Sequence, residues 1–420
     1  MNPTIKARIE SIRRGEVPEG YKRTALGCYP LDWERLTLGS ISERKGEYGL
    51  NAPACEYEEG LPKYLRITDI DEDGKYIDNG AYVKHIDSEK YVLRKGDLLF
   101  ARTGASVGKN YLYDPSDDKL VFAGFLIKYH IKKGYNPYIV AAMCNIHQYN
   151  NWVHMMSARS GQPGINAEEY ATYAFMLPKK LSEQEKIAEI LAGQDRVIAL
   201  KEKLLAEKQK QKKYLMQQLL TGKKRLPGFS GEWIESRLGD LFRERVETNC
   251  AELRLLAITS GQGVIPRDEL ELKDNSSEDK SKYKKICVGD IGYNTMRMWQ
   301  GVSAFSYYEG IVSPAYTILM PNSEIDAKFF AYLFKLPSMV FLFYRYSQGL
   351  VDDTRNLKYK NLGRIRVLFP CDRKEQTVIA EILLTADKEI ELLKKDIEQE
   401  KLKKKSLMQL LLTGIVRVSA

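Results

Sequence analysis

The stretch 104–109, Gly-Ala-Ser-Val-Gly-Lys, is the nearest this 420-residue chain comes to phosphate chemistry. A phosphate loop needs four residues between its glycines, so that backbone N–H groups curl around the anion. It also needs a Ser or Thr after the lysine to hold magnesium. Here three residues separate Gly104 from Gly108, and Asn110 follows Lys109, which argues against nucleotide binding. The four histidines, His85, His130, His147 and His154, have neither triad nor metal spacing. His147 and His154 stand one heptad apart on a candidate helix, where packing or surface exposure accounts for them. The six cysteines (Cys28, Cys55, Cys144, Cys250, Cys287, Cys371) are scattered without a CxxC pair. That argues against zinc and against a disulfide framework, and suits a reducing cytoplasm. No set of residues is left with catalytic, cofactor-binding or metal-ligating spacing.

Bulk properties narrow the class further. Net charge is +9, from 65 Lys and Arg against 56 Asp and Glu, an excess that permits nucleic-acid binding without demanding it. The charged start, MNPTIKARIESIRRGE, does not read as a secretory signal. No uncharged apolar run approaches the ~18 residues of a membrane span.

The elements that position everything else are two copies of one helix. Residues 182–222, SEQEKIAEILAGQDRVIALKEKLLAEKQKQKKYLMQQLLTG, return in altered form at 373–414. Gln184 maps to Gln376, Ile187 to Ile379, Asp195 to Asp387 and Gly222 to Gly414, all 192 residues apart and without a gap. Such self-similarity predicts two equivalent halves. Leu181, Ile187, Ile190, Leu191, Val197, Ile198, Leu204, Leu205, Leu215 and Leu219 recur at three- and four-residue steps, the stripe of an amphipathic helix. Ser182 with Glu185 has the form of a capping box, and Gly222 stands where the helix should end. About 40 residues make a rod of roughly 60 Å. Such a rod cannot bury its stripe alone, so the two copies are expected to pair as a coiled coil.

Before each long helix the period changes. Residues 1–30 open with a helix candidate carrying Ile5, Ile9 and Ile12 on one face, closed by Gly15, Pro18 and Gly20. From there to 178, segments such as 63–67, 91–100 and 120–131 read as strands of an antiparallel or mixed sheet, and 137–157 reads as helical. After the Gly/Pro-rich connector 223–233, KKRLPGFSGEW, the pattern restarts: Trp33 matches Trp233 and Gly96-Asp97 matches Gly289-Asp290. Past the shared Gly-Asp the copies part, LLFARTGASVGK against IGYNTMRMWQG. They part again before each helix, SARSGQPGIN (157–166) against YSQGLVDDTRN (346–356). Matching frames with differing loops suit the reading of two different targets.

Together, the duplicated EQxxIAEIL…LMQxLLTG helices, the RLPGFSGEW connector, GDLLFARTG, GDIGYNTMR and VSPAYTIL (312–319) identify a pattern. Over essentially its whole length the chain resembles the specificity subunit of type I restriction–modification enzymes. The resemblance implies an α+β fold with a pseudo-two-fold internal repeat, in which two β-rich target-recognition domains are separated by two long antiparallel helices forming a coiled coil. The implied division is an N-terminal helical segment (1–30), a first recognition domain (31–178), the first long helix and linker (179–230), a second recognition domain (231–370) and the second long helix (371–420). It also implies a non-catalytic, cytoplasmic subunit that reads an asymmetric bipartite site in double-stranded DNA, with the gap following helix length. Two modification subunits and the restriction subunits are the implied partners, and S-adenosylmethionine, ATP and magnesium are expected on them rather than on this chain. Amino-methylating enzymes of that kind carry Asn-Pro-Pro-aromatic; Asn136-Pro137-Tyr138 lacks the second proline.

Reading base edges favours Arg or Lys at guanine and Asn or Gln at adenine, while phosphates favour Lys, Ser, Thr and backbone amides. The divergent loops supply these types. In the first half they are Arg102, Thr103, Ser106 and Lys109, then Arg159, Ser160, Gln162 and Asn166. In the second they are Asn294, Thr295, Arg297, Trp299 and Gln300, then Gln348, Arg355 and Asn356, with Ser260 and Gln262 in a Gly-rich turn. The basic clusters 208–213 and 401–405 sit among Glu202, Glu207, Glu398 and Glu400, and read as a solvated or subunit-docking helix face rather than a DNA track.

Overall fold

The computed structural model describes residues 3–158, 161–259, 261–270 and 279–418. Two compact units emerge: Met1–Leu200 with Ile397–Ala420, and Lys201–Asp396. This partition runs through both long helices rather than setting them apart from the sheet regions.

In unit one the helix Pro3–Arg13 forms as expected, but residues 21–30 are not helical. Tyr21–Thr24 and Gly27–Pro30 pair as an antiparallel hairpin. The Thr24 hydroxyl closes its turn, accepting from Leu26 N and donating to Gly27 O. Trp33–Thr37 then pairs with Ala174–Pro178, the last strand before the long helix. A four-stranded antiparallel sheet runs Glu47–Tyr48, Leu126–His130, Asp97–Ala101, Asn110–Leu112. Its Asp97–Ala101 strand is buried at every position, which explains the unbroken apolar run Leu-Leu-Phe-Ala.

Strand boundaries differ from the sequence pattern for identifiable reasons. The 91–100 segment joins the main sheet only at Asp97: after the 3-10 turn Ser88–Tyr91, Val92 makes an isolated bridge to Val121, and Gly96 then turns at φ +96°. The 120–131 segment is two strands, since each serves a different neighbour. Leu120–Phe122 pairs in parallel with Lys63–Leu65, and Leu126–His130 joins the main sheet. The 137–157 segment is likewise two helices, Pro137–Met143 and His147–Ser157. At the break Asn145 bonds back to Ala141 O and across to Asn110.

Unit two is built in the same strand order. Trp233–Arg237 pairs with Arg366–Pro370, and the four-stranded sheet runs Phe242–Arg245, Tyr316–Pro321, Ile291–Asn294, Ser303–Phe305. Helices Ala327–Leu333 and Pro337–Tyr346 follow. In both units the Leu-Gly after the first paired strand comes against the turn before the last. Gly39 N donates to Ala171 O and Gly239 N to Gly363 O, both at 3.0 Å. A Cβ on Gly39 would stand 2.9 Å from that of Ala171, so this approach requires glycine.

The repeated sequences are the helices Leu181–Leu219 and Arg373–Leu411, 39 residues each. Gly222 and Gly414, both at φ +69°, end them in the left-handed conformation expected. The capping-box expectation fails. The first helix already includes Leu181, so Ser182 lies inside its first turn, and the buried Gln184 ties that turn down instead. Its Nε2 donates to Pro178 O and its Oε1 accepts from Asn136 N; Gln376 does the same with Pro370 O and Asp326 N.

Each unit draws both helices into its core. Ile187, Leu191, Leu411 and Leu412 pack with Phe100, Tyr129 and Ile139 in unit one. Leu219, Leu220, Ile379 and Leu383 pack with Tyr293, Phe330 and Phe369 in unit two. Each such buried aliphatic side chain contributes about 1.5–3 kcal/mol. Leu181, Val197 and Leu204, counted in the apolar stripe, are exposed. Ion pairs join the helices: Asp195–Lys404 in unit one, and Lys201–Asp396, Lys208–Glu389 and Lys212–Asp387 in unit two, where the pairing runs in opposite chain order.

Candidate nucleic-acid interface

The two divergent loops of each unit, some sixty residues apart in the chain, meet in the fold. In unit one the loop 102–109 leaves the buried strand Asp97–Ala101, and residues 163–165 lie against it. Ile165 N donates to Arg102 O at 2.9 Å, Gly104 N to Pro163 O at 3.0 Å, and Thr103 bridges Gly164. In unit two Leu357 N donates to Thr295 O at 2.8 Å, and Gln348 and Asn356 exchange both backbone bonds at 2.8 Å. Polar backbone at a loop must find partners: in unit one the two loops supply them to each other, while in unit two the Gln348–Asn356 pair closes the second loop on itself and Leu357 N ties it to the first.

Buried tyrosines fix this geometry from below. The Tyr170 hydroxyl donates to Ala101 O at 2.7 Å and accepts from Gly108 N at 3.1 Å, while the Tyr149 hydroxyl donates to Gly108 O at 2.7 Å. Their rings crowd Phe100 and Trp152, and burial raises both phenol pKa values far above the ordinary tyrosine range. They therefore act as neutral clamps on the loop. In unit two the Tyr293 hydroxyl holds Leu357 O at 3.0 Å.

The anticipated side chains occupy varied settings. In unit one the Arg102 guanidinium lies 4.9 Å from the Tyr48 ring centre. Lys109 Nζ meets Glu72 at 2.7 Å, Ser106 is half-buried and Gln162 is exposed. Asn166 caps the short helix Ala167–Ala171. Its oxygen accepts from Glu169 N, and the Glu169 carboxylate accepts from Asn166 N, a reciprocal capping box. Arg159, Ser160 and Ser260 lie outside the described residues.

In unit two Thr295 Oγ1 donates to Ala315 O at 2.7 Å, and Asn294 Oδ1 accepts from Met296 N at 3.0 Å. Trp299 donates to Met296 O and packs edge-on to Tyr344. Arg355 lies 4.0 Å over that same Tyr344 ring, bonds its hydroxyl at 2.8 Å and pairs with Asp352 at 2.9 Å. Arg297, Gln300 and Gln348 are exposed, and Asn356 Oδ1 is a buried acceptor with no partner among the described residues. Gln262 is exposed at the tip of the hairpin Leu256–Thr259/Gly263–Pro266, which belongs to a separate small core with Ile286 and Ala304.

Sequence reasoning missed the aromatic platforms. Tyr48 and Tyr344 organise Arg102 and Arg355, and Phe341, Leu350 and Val351 are exposed around the second loop. The signal was present in FLFYRY, an aromatic and basic helix end directly preceding a divergent loop. Among the described residues there is no group of three His, Cys, Asp or Glu that could hold a metal, and no single helix is long and apolar enough to cross a membrane.

Residues 30–209 match the family described as type I restriction modification DNA specificity domain. Over 95% of the chain and 97% of the relative, it is 26% identical to a Methanocaldococcus jannaschii protein assigned as the type I restriction enzyme MjaX specificity subunit. It is 23% identical, over 93% of the chain and 94% of the relative, to the MjaVIII specificity subunit of the same organism. Among solved structures, the type I restriction–modification S subunit from M. genitalium superposes with a TM-score of 0.57 at 16% identity, covering 90% of this chain and 96% of that one. A chain from a study of type I R-M complex assembly and conformational transition gives 0.55 at 16% identity, covering 92% and 99%. These two likenesses establish the fold.

Proposed function

From the match of residues 30–209 to the type I restriction modification DNA specificity domain family, we propose that the chain is the DNA-reading subunit of a type I restriction–modification complex. Its two sheet regions, 31–178 and 231–370, each read one half of an asymmetric bipartite site, and the repeated helices pair as a coiled coil within a pseudo-two-fold repeat. The observation that carries this reading is the meeting, in each unit, of two loops at the positions where the halves diverge. A shared scaffold presenting unlike loops is how one fold reads two sequences. The named relatives, specificity subunits of type I restriction enzymes, support it.

In this reading the chain is not the catalyst. Two modification subunits and the restriction subunits assemble with it in the cytoplasm; S-adenosylmethionine, ATP and magnesium belong to them, and the product is N6-methyladenine in a sequence chosen here. The test is co-expression with the modification subunit from the same locus, followed by mapping of N6-methyladenine. The expected result is one asymmetric bipartite motif, methylated on both strands and lost without this chain. Replacing residues 231–370 with the equivalent region of a relative should change one half-site and leave the other. A stable complex that methylates no defined motif overturns the reading.

A further inference from the structure

Unit two carries a basic cleft. It is open, about 440 Å³, and is lined by Arg237, Arg364 and Arg366 with Leu342, Tyr346 and Ile365. Arg237 and Arg366 stand directly opposite one another in the antiparallel pair Trp233–Arg237/Arg366–Pro370. Like charges at such a position destabilise the pairing. Arg366 meets Glu235 at 2.8 Å, but both side chains are more than half exposed, so the relief is small. The Arg237 and Arg364 side chains have no acid or acceptor partner among the described residues. The fold does not require these cations: at the same register unit one has Thr37 opposite Ala174, and Thr172 takes the place of Arg364.

Three guanidinium groups against one carboxylate, around a cleft, match the fork geometry that phosphate oxygens take. Tyr346, on the cleft wall, ends the helix Pro337–Tyr346 and opens the divergent segment 346–356. We propose that this cleft binds a phosphate group, and that its occupant is a backbone phosphodiester of the duplex read by unit two, a claim that rests on the DNA-reading assignment above. The contact is one of position rather than sequence, and it belongs to one half-site only.

The test uses the full chain, assembled with its modification subunit, and the double variant Arg237→Ala/Arg364→Ala, which leaves the Arg366–Glu235 pair intact. Two readouts are taken. The first is the salt dependence of duplex affinity. Removing the contact to that phosphate should lower the slope of log K against log salt by roughly 1, with the preference for the specific over a scrambled duplex unchanged. The second is thermal stabilisation by inorganic pyrophosphate, expected for the wild type and absent from the variant. An unchanged slope and an unchanged pyrophosphate response overturn the proposal, even if the complex reads DNA normally. Pyrophosphate binding lost in the variant, from a wild-type complex with no duplex affinity, overturns the DNA-reading assignment and identifies the occupant as free phosphate. A slope change accompanied by altered sequence preference overturns the positioning role.

Discussion

Asp97 and Asp290 belong to the same Gly-Asp motif, yet one faces an imidazole and the other a guanidinium. Each is almost wholly buried, and each closes its turn by accepting a backbone N–H three residues back, Arg94 N at 2.9 Å and Cys287 N at 2.8 Å. In unit one the counter-group is His130 Nδ1 at 2.7 Å, from the neighbouring strand. In unit two it is Arg245, at 2.8 and 3.3 Å, from the edge strand beyond. The turn demands the acid. Its counter-cation comes from whichever strand can reach it, so that position is free to drift between halves.

The largest effect should come from breaking this pair unequally. Replacing Asp290 by Ala leaves a guanidinium that cannot shed its proton with only the more exposed Glu247, at 3.4 Å, at a cost of about 3 kcal/mol. Asp97→Ala leaves an imidazole that can, and should cost at least ~1 kcal/mol less at neutral pH. Urea denaturation of the two variants measures both, and equal costs would refute the distinction.

A second pair tests sameness. Arg225 binds the buried Glu375 and Arg417 the buried Glu183, both through two bonds of 2.7–2.9 Å, and both arginines and acids stand 192 residues apart. Arg225→Met and Arg417→Met should each cost about 2 kcal/mol, since each orphans a buried carboxylate. Costs differing by more than ~1 kcal/mol would break the equivalence of the two helix ends.

A further difference, in pH response, appears only above neutral pH. Lys335, just past the helix Ala327–Leu333, donates to Gly301 O and Ser303 O, where unit one uses the neutral Asn145 with Asn110. Burial, and then the charge of Lys212, push its pKa down to about 8. Below that pH both folded and unfolded chains carry the charge, and the burial penalty is constant. Between about 8 and the ordinary lysine value the unfolded state holds more protons, so stability rises with pH. A gain of up to about 3 kcal/mol is expected across that window, and Lys335→Gln should abolish it. At the bottom of the scale, Lys208→Ala breaks a solvent-facing pair with Glu389 and should change stability by under ~1 kcal/mol in the same assay.

Much of the helical frame was legible beforehand because helix period, glycine termination and a constant offset are local properties of the chain. Gly222 and Gly414 end their helices where the pattern stops. Ser182 misled because a capping pattern says nothing of how the preceding strand enters: Pro178 O and Asn136 N engage Gln184, and the helix starts a residue earlier. Residues 120–131 looked like one strand because both pieces are apolar, and only their different partners, Lys63–Leu65 and Asp97–Ala101, divide them.

By itself, then, the sequence determined the two long helices, their ends, the strand-rich regions before them and the loops at which the halves diverge. Periodicity and turn chemistry act over a few residues and leave a direct trace in composition. The meeting of loop 102–109 with residues 163–165, and of Thr295 with Leu357, was decided only by the fold. So were the tyrosine clamps under those loops, the choice of His130 or Arg245 for a buried acid, and the opposition of Arg237 and Arg366. Each depends on which distant strand lies alongside. Strand registry is settled by the packing of the whole core rather than by any local run of residues.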